Sequence, residues 1–204
     1  MMTVIYYTSS REEEKFEQRV IENLKKSIGD LPVISVSQKP LDFGRNIDVG
    51  DIGVGVISML QQILIGAEIA QTPFVTFGES DVLYPPDYFT FVPEREDTFY
   101  YTNNFYVHWV NHYSFWPKRR REISSIVGRK YLIDTVSTLL EMKFKYMSRA
   151  ILRLRLKHEF FDTSPVVSLK TGNGMNARSP HGKIPVHEVP VWGTGVDILK
   201  NYVE

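Results

Sequence analysis

Glu79 and Asp81 stand two positions apart in the segment 78–89, GESDVLYPPDYF, directly after the apolar run PFVTF at 73–77. That run reads as a buried strand. In extended backbone, side chains at i and i+2 point to the same side, so both carboxylates can face one cation. With no cysteine in the chain, such hard oxygen ligands suit Mn2+ or Mg2+ rather than Zn2+. The ion would bridge the oxygens of a diphosphate and stabilise charge developing on a nucleotide leaving group. An acidic pair of this spacing also occurs at solvated strand ends, where it binds nothing.

A second group joins aromatic and basic residues. Trp109, His112, Tyr113, Phe115 and Trp116 run into Pro117, Lys118, Arg119, Arg120 and Arg121. Aromatic faces stack on sugars and on unstacked bases, and a basic run tracks phosphates. A modified nucleobase in DNA, as the acceptor of a transferred group, would use both; the alternative is an ordinary basic loop, or one that pairs with the acidic first half. Nothing in the chain resembles a helix-turn-helix or an RNP motif, so reading of a base sequence is not expected. Transfer to a hydroxyl also calls for a carboxylate as general base. Glu141, Glu159 and Asp162 are the candidates, and Glu159 and Asp162, in HEFFDTSP, are preferred because they precede the last apolar strand. Their alternative role is to balance Arg155 or Lys157 at the surface.

These residues need a scaffold, and the apolar patterning supplies one. Residues 3–8, 31–36 and 73–77 are short β-branched and aromatic runs that read as buried strands. Phe16, Val20, Ile21 and Leu24 recur at helical spacing, with Ser9 or Ser10 as cap and Gly29 as stop. Glu12, Glu13 and Glu14 suit the positive end of that helix's dipole. Residues 58–70 have the length and apolar density of a core helix, while 37–55, rich in glycine and aspartate, predict a long functional loop. The order β-α-β-loop-α-β predicts an α/β domain with a mostly parallel sheet flanked by helices. Ligands in such folds gather at the carboxyl ends of the strands, here Thr8 and Ser9, Ser37 to Lys39, and Gly78 to Asp81. Farther on, 98–109 reads as an aromatic hairpin about Asn103 and Asn104, 124–127 as a strand, and 129–141 as a helix. Residues 142–161 predict a basic helix with Met147, Ile151, Leu152 and Leu156 as its apolar stripe, and 166–169 a last strand.

With 204 residues, 43% of them hydrophobic, the chain can bury one substantial core. A charged fraction of 24% fits neither a disordered nor a membrane class, and no apolar run approaches the roughly 20 residues that span a bilayer. The first residues lack a basic flank and a small-residue cleavage site, so no secretory signal is expected. Zero cysteines exclude disulfides, thiolate nucleophiles and zinc–thiolate sites, which makes the cytoplasm the expected location. The net charge of zero hides a split: residues 1–100 carry 8 basic and 16 acidic side chains, and residues 101–204 carry 16 basic and 8 acidic. Either the halves attract one another or the second half meets an anion.

The block QILIGAEIAQTPFVTFGESDVLYPPDYF, residues 62–89, is similar to the central block of GT-A-fold glycosyltransferases related to family 2. There a helix and strand lead into an acidic DxD-type motif. The resemblance takes in YYTSSRE at 6–12, SSIVGRKYL at 124–132, PVVSLKTGNGMN at 165–176 and VPVWG at 189–193. It implies a GT-A-like (Rossmann-like) fold with a smaller acceptor-side β/helical portion. Residues 1–204 would form one domain, with 1–97 binding a nucleotide-sugar, a UDP-sugar first, and 98–204 binding the acceptor. By the same resemblance Glu79 and Asp81 take the metal and diphosphate role, and Thr8, Ser9, Ser37, Gln38 and Lys39 line the nucleotide pocket. Gln61 falls where relatives place a basic residue toward the phosphates. Relatives often end the final strand in histidine-glycine; this chain has Thr171 and Gly172, which leaves His181 or His187 as a further metal ligand, His181 preferred. Trp109, Trp116, Arg119, Arg120 and Arg121 fall on the acceptor side, and viral enzymes of this kind glycosylate bases in DNA. The implied activity is a metal-dependent hexosyl- or pentosyltransfer. A catalytically idle nucleotide-sugar-binding module and a nucleic-acid-binding protein are the alternatives. A nucleotidyltransferase would show a glycine-rich phosphate loop after the first strand, and TSSREEE has no glycine.

Overall fold

A computed structural model describes residues 1–118, 124–142, 154–173 and 184–204. Its first half runs β1 (Met2–Thr8), α1 (Glu14–Ile28), β2 (Val33–Ser37), β3 (Arg45–Asp48), α2 (Val56–Ile69) and β4 (Phe74–Glu79). A two-residue strand β5 (Val82–Leu83) and a 3-10 turn (Pro86–Thr90) lead to β6 (Phe99–Thr102), β7 (Phe105–Trp109) and β8 (Phe115–Lys118). Then come β9 (Ser125–Gly128), α3 (Arg129–Glu141), β10 (His158–Phe161) and β11 (Val166–Lys170). A short β12–β13 ribbon (Glu188–Val189, Gly193–Thr194) and one turn of helix, α4 (Gly195–Ile198), follow.

The seven-stranded sheet has the order β10-β6-β9-β4-β1-β2-β3. Only β9 runs against its neighbours; every other pairing in this sheet is parallel. The expected mostly parallel α/β architecture is therefore the observed one. Strand β1 is buried along its whole length, and its side chains alternate between two layers. Ile5 and Tyr7 face α2 and α3, with Leu60, Ile63, Leu132 and Val136. Val4 and Tyr6 face α1 and a second aromatic layer, with Ile21, Leu24, Tyr84 and Tyr88. Full burial of Val4 and Ile5 stabilises by roughly 1.5–3 kcal/mol each. Helix α2 crosses β1 closely at Gly66, where a Cβ would stand 2.5 Å from Ile5 Cγ2.

A smaller sheet, β5-β11-β7-β8, packs on the α1 side, with β7 and β11 parallel and the outer strands antiparallel. Several expectations change here. Residues 98–109 form no hairpin: β6 joins the large sheet beside β9 and β10, and β7 joins the small sheet beside β8 and β11. Asn103 and Asn104 mark the step between sheets. The long loop 37–55 contains β3, paired with β2. Residues 158–161, expected at the end of a basic helix, are strand β10; Met147, Ile151 and Leu152 lie outside the described residues. Neither Ser9 nor Ser10 caps α1, which begins only at Glu14 with no side-chain cap. Ser10 instead adopts φ 53° with its N–H bonded to Thr8 Oγ1. The stop at Gly29, φ 57°, is as expected. No helix among the described residues is long and apolar enough to cross a membrane.

Candidate functional site

Strands β1, β2 and β4 end on one edge of the large sheet, in register: Thr8 stands opposite Ser37, and Tyr7 opposite Glu79. Parallel pairing puts three carboxyl ends together, the position where open α/β sheets take ligands. At the end of β4, Glu79 Oε1 accepts a hydrogen bond from Ser124 Oγ at 2.7 Å, and Ser124 Oγ accepts from the Tyr84 hydroxyl at 3.0 Å. Burial pushes the Glu79 carboxyl up to about 7, and the nearby Asp81 charge adds to this; the Ser124 bond and Lys170 oppose it. Asp81 is tied to β11 twice. Its carbonyl accepts from Leu169 N–H at 2.6 Å, and its Oδ2 accepts from Lys170 Nζ at 2.6 Å. The Asp81 and Lys170 side chains are only 16% and 17% exposed.

Two further carboxylates stand close by. Glu12 Oε2 accepts from Thr171 Oγ1 at 2.8 Å, and its carboxyl is held above the usual range by burial, with Asp81 and Glu17 adding to the effect. Glu17 is buried on α1 and accepts from the Tyr6 hydroxyl at 2.7 Å. Sequence reasoning gave Glu12 only a helix-dipole role and gave Lys170 none. The run SLKTG, with a lysine and a hydroxyl at the exit of the last apolar strand, was the available signal.

The fit of a divalent cation follows from these partners. Asp81 Oδ2 is engaged by a mostly buried ammonium, and uncovering one member of such a pair costs about 3–5 kcal/mol. Glu79 is engaged by Ser124. Among the described residues, no three His, Cys, Asp or Glu side chains stand together as a metal-holding group. The donor set for Mn2+ or Mg2+ that the i, i+2 spacing suggested is thus an ion-paired, hydrogen-bonded centre. Spacing within one strand end carries no information about a lysine 89 residues away. His181 lies outside the described residues.

The remaining expected nucleotide-side residues fall as follows. Thr8 and Ser37 are buried at their strand ends, and Ser9 is half-buried beside Thr8. Ser37 Oγ donates to the Lys39 carbonyl and accepts from Asn46 Nδ2. Gln38 is buried and donates to the Gly53 carbonyl at 2.7 Å, which draws the start of α2 to the end of β2. Lys39 and Gln61 are exposed. The glutamine that reaches the strand ends is Gln62, 2% exposed, whose Nε2 donates to the carbonyls of Thr8 and Val36 at 2.8 Å each. Helical rotation between adjacent positions separates the two.

On the acceptor side, β11 carries the geometry across the small sheet. Lys170 pairs with Trp109 in the β11–β7 register, and Trp109 meets Trp116 edge to face with ring centroids 5.3 Å apart. His112 adds a second edge contact to Trp116 at 5.5 Å. The tryptophans are half-buried, so the aromatic group begins one strand away from the Asp81–Lys170 pair. Lys118 ends β8, and Arg119, Arg120 and Arg121 lie outside the described residues. Glu159 and Asp162 are not part of this gathering. Both are exposed; Glu159 lies on the edge strand β10 and Asp162, just beyond it, accepts from Asn103 Nδ2. Three strand steps separate β10 from β4, about 14 Å at the usual spacing.

No family model and no curated protein matches the sequence. Solved structures share the fold. Residues 1–349 of S. aureus TarS in complex with UDP-GlcNAc superpose with TM-score 0.58 at 13% identity, over 88% of this chain and 61% of that one. The inositol-1-phosphate CTP transferase from T. maritima gives TM-score 0.52 at 10% identity, over 87% of this chain and 92% of that one. A nucleotidyl transferase from Methanothermobacter thermautotroptrophicus gives 0.52 at 12%, over 80% and 88%. The chain thus spans about three fifths of the TarS fragment and nearly all of the two nucleotidyl transferases. At these identities the likeness is one of fold, and that fold is common to glycosyl- and nucleotidyltransferases.

Proposed function

We propose that this chain transfers a sugar from a nucleotide-sugar donor to an acceptor hydroxyl. The observation that carries the reading is the arrangement on one edge of the molecule. At the strand ends Thr8 stands opposite Ser37 and Tyr7 opposite Glu79, Asp81 and Lys170 form a mostly sheltered ion pair beside them, and an aromatic group begins one strand farther on. The nucleotide would lie over the ends of β1 and β2, and the diphosphate over Asp81 and Lys170. The acceptor would lie on Trp109 and Trp116. A modified, hydroxyl-bearing base in DNA is the acceptor class that this aromatic group and the basic run after it suit best.

In the transfer, the bond from sugar C1 to the β-phosphate oxygen breaks and its electron pair leaves with the nucleoside diphosphate. A bond from C1 to the acceptor oxygen forms, and the acceptor proton passes to a carboxylate. Glu12 is the residue we assign to that proton. It stands beside Asp81 and Lys170, and burial keeps its carboxyl above the ordinary range, which suits a proton acceptor working near neutrality. Glu159 and Asp162 stand too far along the sheet.

UDP-N-acetylglucosamine, the ligand of the TarS complex, is the first probe. A thermal-shift series with UDP-, GDP- and CMP-sugars, each with and without Mn2+, followed by an assay of donor hydrolysis, tests the proposal. Stabilisation by a nucleotide-sugar together with release of its nucleoside diphosphate supports it; no shift with any donor refutes it. Nucleotidyl transfer is the second reading, favoured by the near-complete overlap with the two nucleotidyl transferases. It predicts stabilisation by CTP or another nucleoside triphosphate and pyrophosphate release. The β1–α1 connection, TSSREEE, offers no glycine for backbone approach to a triphosphate, which ranks it second.

A further inference from the structure

We infer that Lys170 takes the place of a divalent cation in this site: its ammonium holds Asp81 and meets the donor diphosphate, so the donor binds without metal. This rests on the sugar-transfer reading above and names the charge that the site offers to the donor.

Lys170 is the last residue of β11, and the strand is fixed from both sides. Its Leu169 N–H donates to the Asp81 carbonyl at 2.6 Å, and its Lys170 carbonyl accepts from Val110 N–H at 3.2 Å. Backbone ladders therefore set the position of the ammonium, and the 2.6 Å contact with Asp81 Oδ2 is the end of a rigid path. Side-chain exposures of 17% and 16% leave the pair reachable by a ligand while removing most of the water that would screen it.

Competition comes next. A divalent ion bridging Glu79 and Asp81 needs Asp81 Oδ2, the atom Lys170 already holds, and two cations at one carboxylate oxygen repel strongly when screened so little. The neighbouring ligands are engaged as well: Glu79 by Ser124, and Glu12 by Thr171, the residue after the lysine. An ammonium at this position can do what the ion would do for the leaving group. It is a compact charge with three donors, already oriented where negative charge grows as the C1–O bond breaks.

The test is calorimetric titration of the whole chain with UDP-N-acetylglucosamine and with UDP, in EDTA and in Mn2+. The expected dissociation constants agree within about twofold between the two conditions. Lys170→Met is expected to weaken binding in EDTA at least 30-fold. Mn2+ should then recover at least tenfold of that loss, because Asp81 Oδ2 becomes available to the ion. In the double variant Lys170→Met, Asp81→Asn no metal rescue is expected, which separates charge replacement from a loss of packing. A wild-type affinity that drops tenfold or more in EDTA overturns the inference and leaves sugar transfer standing. That arm needs no variant to fold. Unchanged donor binding by Lys170→Met in EDTA also overturns it. Absence of binding by either probe in both conditions overturns this inference for a uridine donor, and the sugar-transfer reading falls with it only if the GDP- and CMP-sugars of the thermal-shift series also give no shift.

Discussion

Replacing Glu79 by glutamine should stabilise the fold, and by an amount that depends on pH. Desolvation at its half-buried position raises the carboxyl from 4.5 to about 7 in the folded chain, with the Asp81 charge adding to it. A carboxyl whose folded value lies above its unfolded value binds more protons in the folded state between the two. Stability therefore falls as pH rises through that interval, and the full cost is reached above pH 7. The interval corresponds to about 3 kcal/mol. In Glu79→Gln the amide oxygen can still accept from Ser124 Oγ, so the hydrogen bond and the shape remain while the buried charge goes. The stability difference between variant and wild type should be near zero at pH 4 and approach about 3 kcal/mol in favour of the variant at pH 8.5. For a chain of this length that is roughly a 6–12 °C rise in Tm. Urea denaturation of both proteins at half-unit pH steps measures it, and subtracting the two curves cancels the titrating groups that do not sense Glu79, leaving Glu79 together with its neighbour Asp81. A difference that stays flat from pH 4 to 8.5 refutes the reasoning, since it means that Glu79 ionises as freely folded as unfolded.

The two adjacent glutamines of α2 provide a contrast: Gln62→Ala removes the hydrogen bonds to the carbonyls of Thr8 and Val36 and should cost about 1–3 kcal/mol by urea denaturation, against less than about 0.5 kcal/mol for the exposed Gln61→Ala. Trp109→Ala and Trp116→Ala should each raise the acceptor KM at least tenfold, with the donor dissociation constant, titrated without acceptor, unchanged within twofold; equal losses on both sides would remove the aromatic group from the acceptor role. If DNA is the acceptor, neutralising Arg119, Arg120 and Arg121 together should lower the slope of log K against log salt by about 2–3, read by fluorescence anisotropy, and an unchanged slope would take the basic run out of DNA binding.

What could be read from residue order was whatever local pattern decides alone. Strand β1 is β-branched or aromatic at every position from Thr3 to Thr8, α3 begins where Gly128 breaks a β-branched run, and the acidic pair follows a strand too apolar to be elsewhere than the core. These carry the parallel sheet and one edge of the site. Strands β6 and β7 went unseparated because both are aromatic and only two residues lie between them; partners 20 to 60 residues away decide that they part company. The same limit hid the centre of the site. Asp81 was legible as a carboxylate, but its partner Lys170 and the Glu12–Thr171 contact are set by β11 docking between β5 and β7, which no spacing within a segment encodes. Gln61 and Gln62 show the finest version of this limit: a helix position is legible from sequence, its rotation against a strand end only to within one residue.

The charge split between the halves of the chain resolves differently at different depths. Strand β9 lies between β4 and β6, so the acidic first half and the basic second half are interleaved in one sheet. Among the described residues, Lys157–Asp97 and Lys170–Asp81 are ion pairs that cross between them. Lys157 meets Asp97 with side chains 59% and 47% exposed, where solvent and salt screen the attraction and leave the pair little weight. Lys170 meets Asp81 where little water reaches, and there the attraction is set against the desolvation of both groups, so the pair is weak evidence for stability and strong evidence for a fixed charge. Around it stand Glu12, Glu17 and Glu79, an acidic neighbourhood that any diphosphate must enter against repulsion. Ser124, Thr171 and Tyr6 each direct a hydroxyl proton at one of these carboxylates, which spreads their charge into the protein; on the proposed reading Lys170 is then the cation that meets the donor phosphates. Moving that single charge should therefore change donor affinity far more than moving Lys157, although both belong to the same basic half.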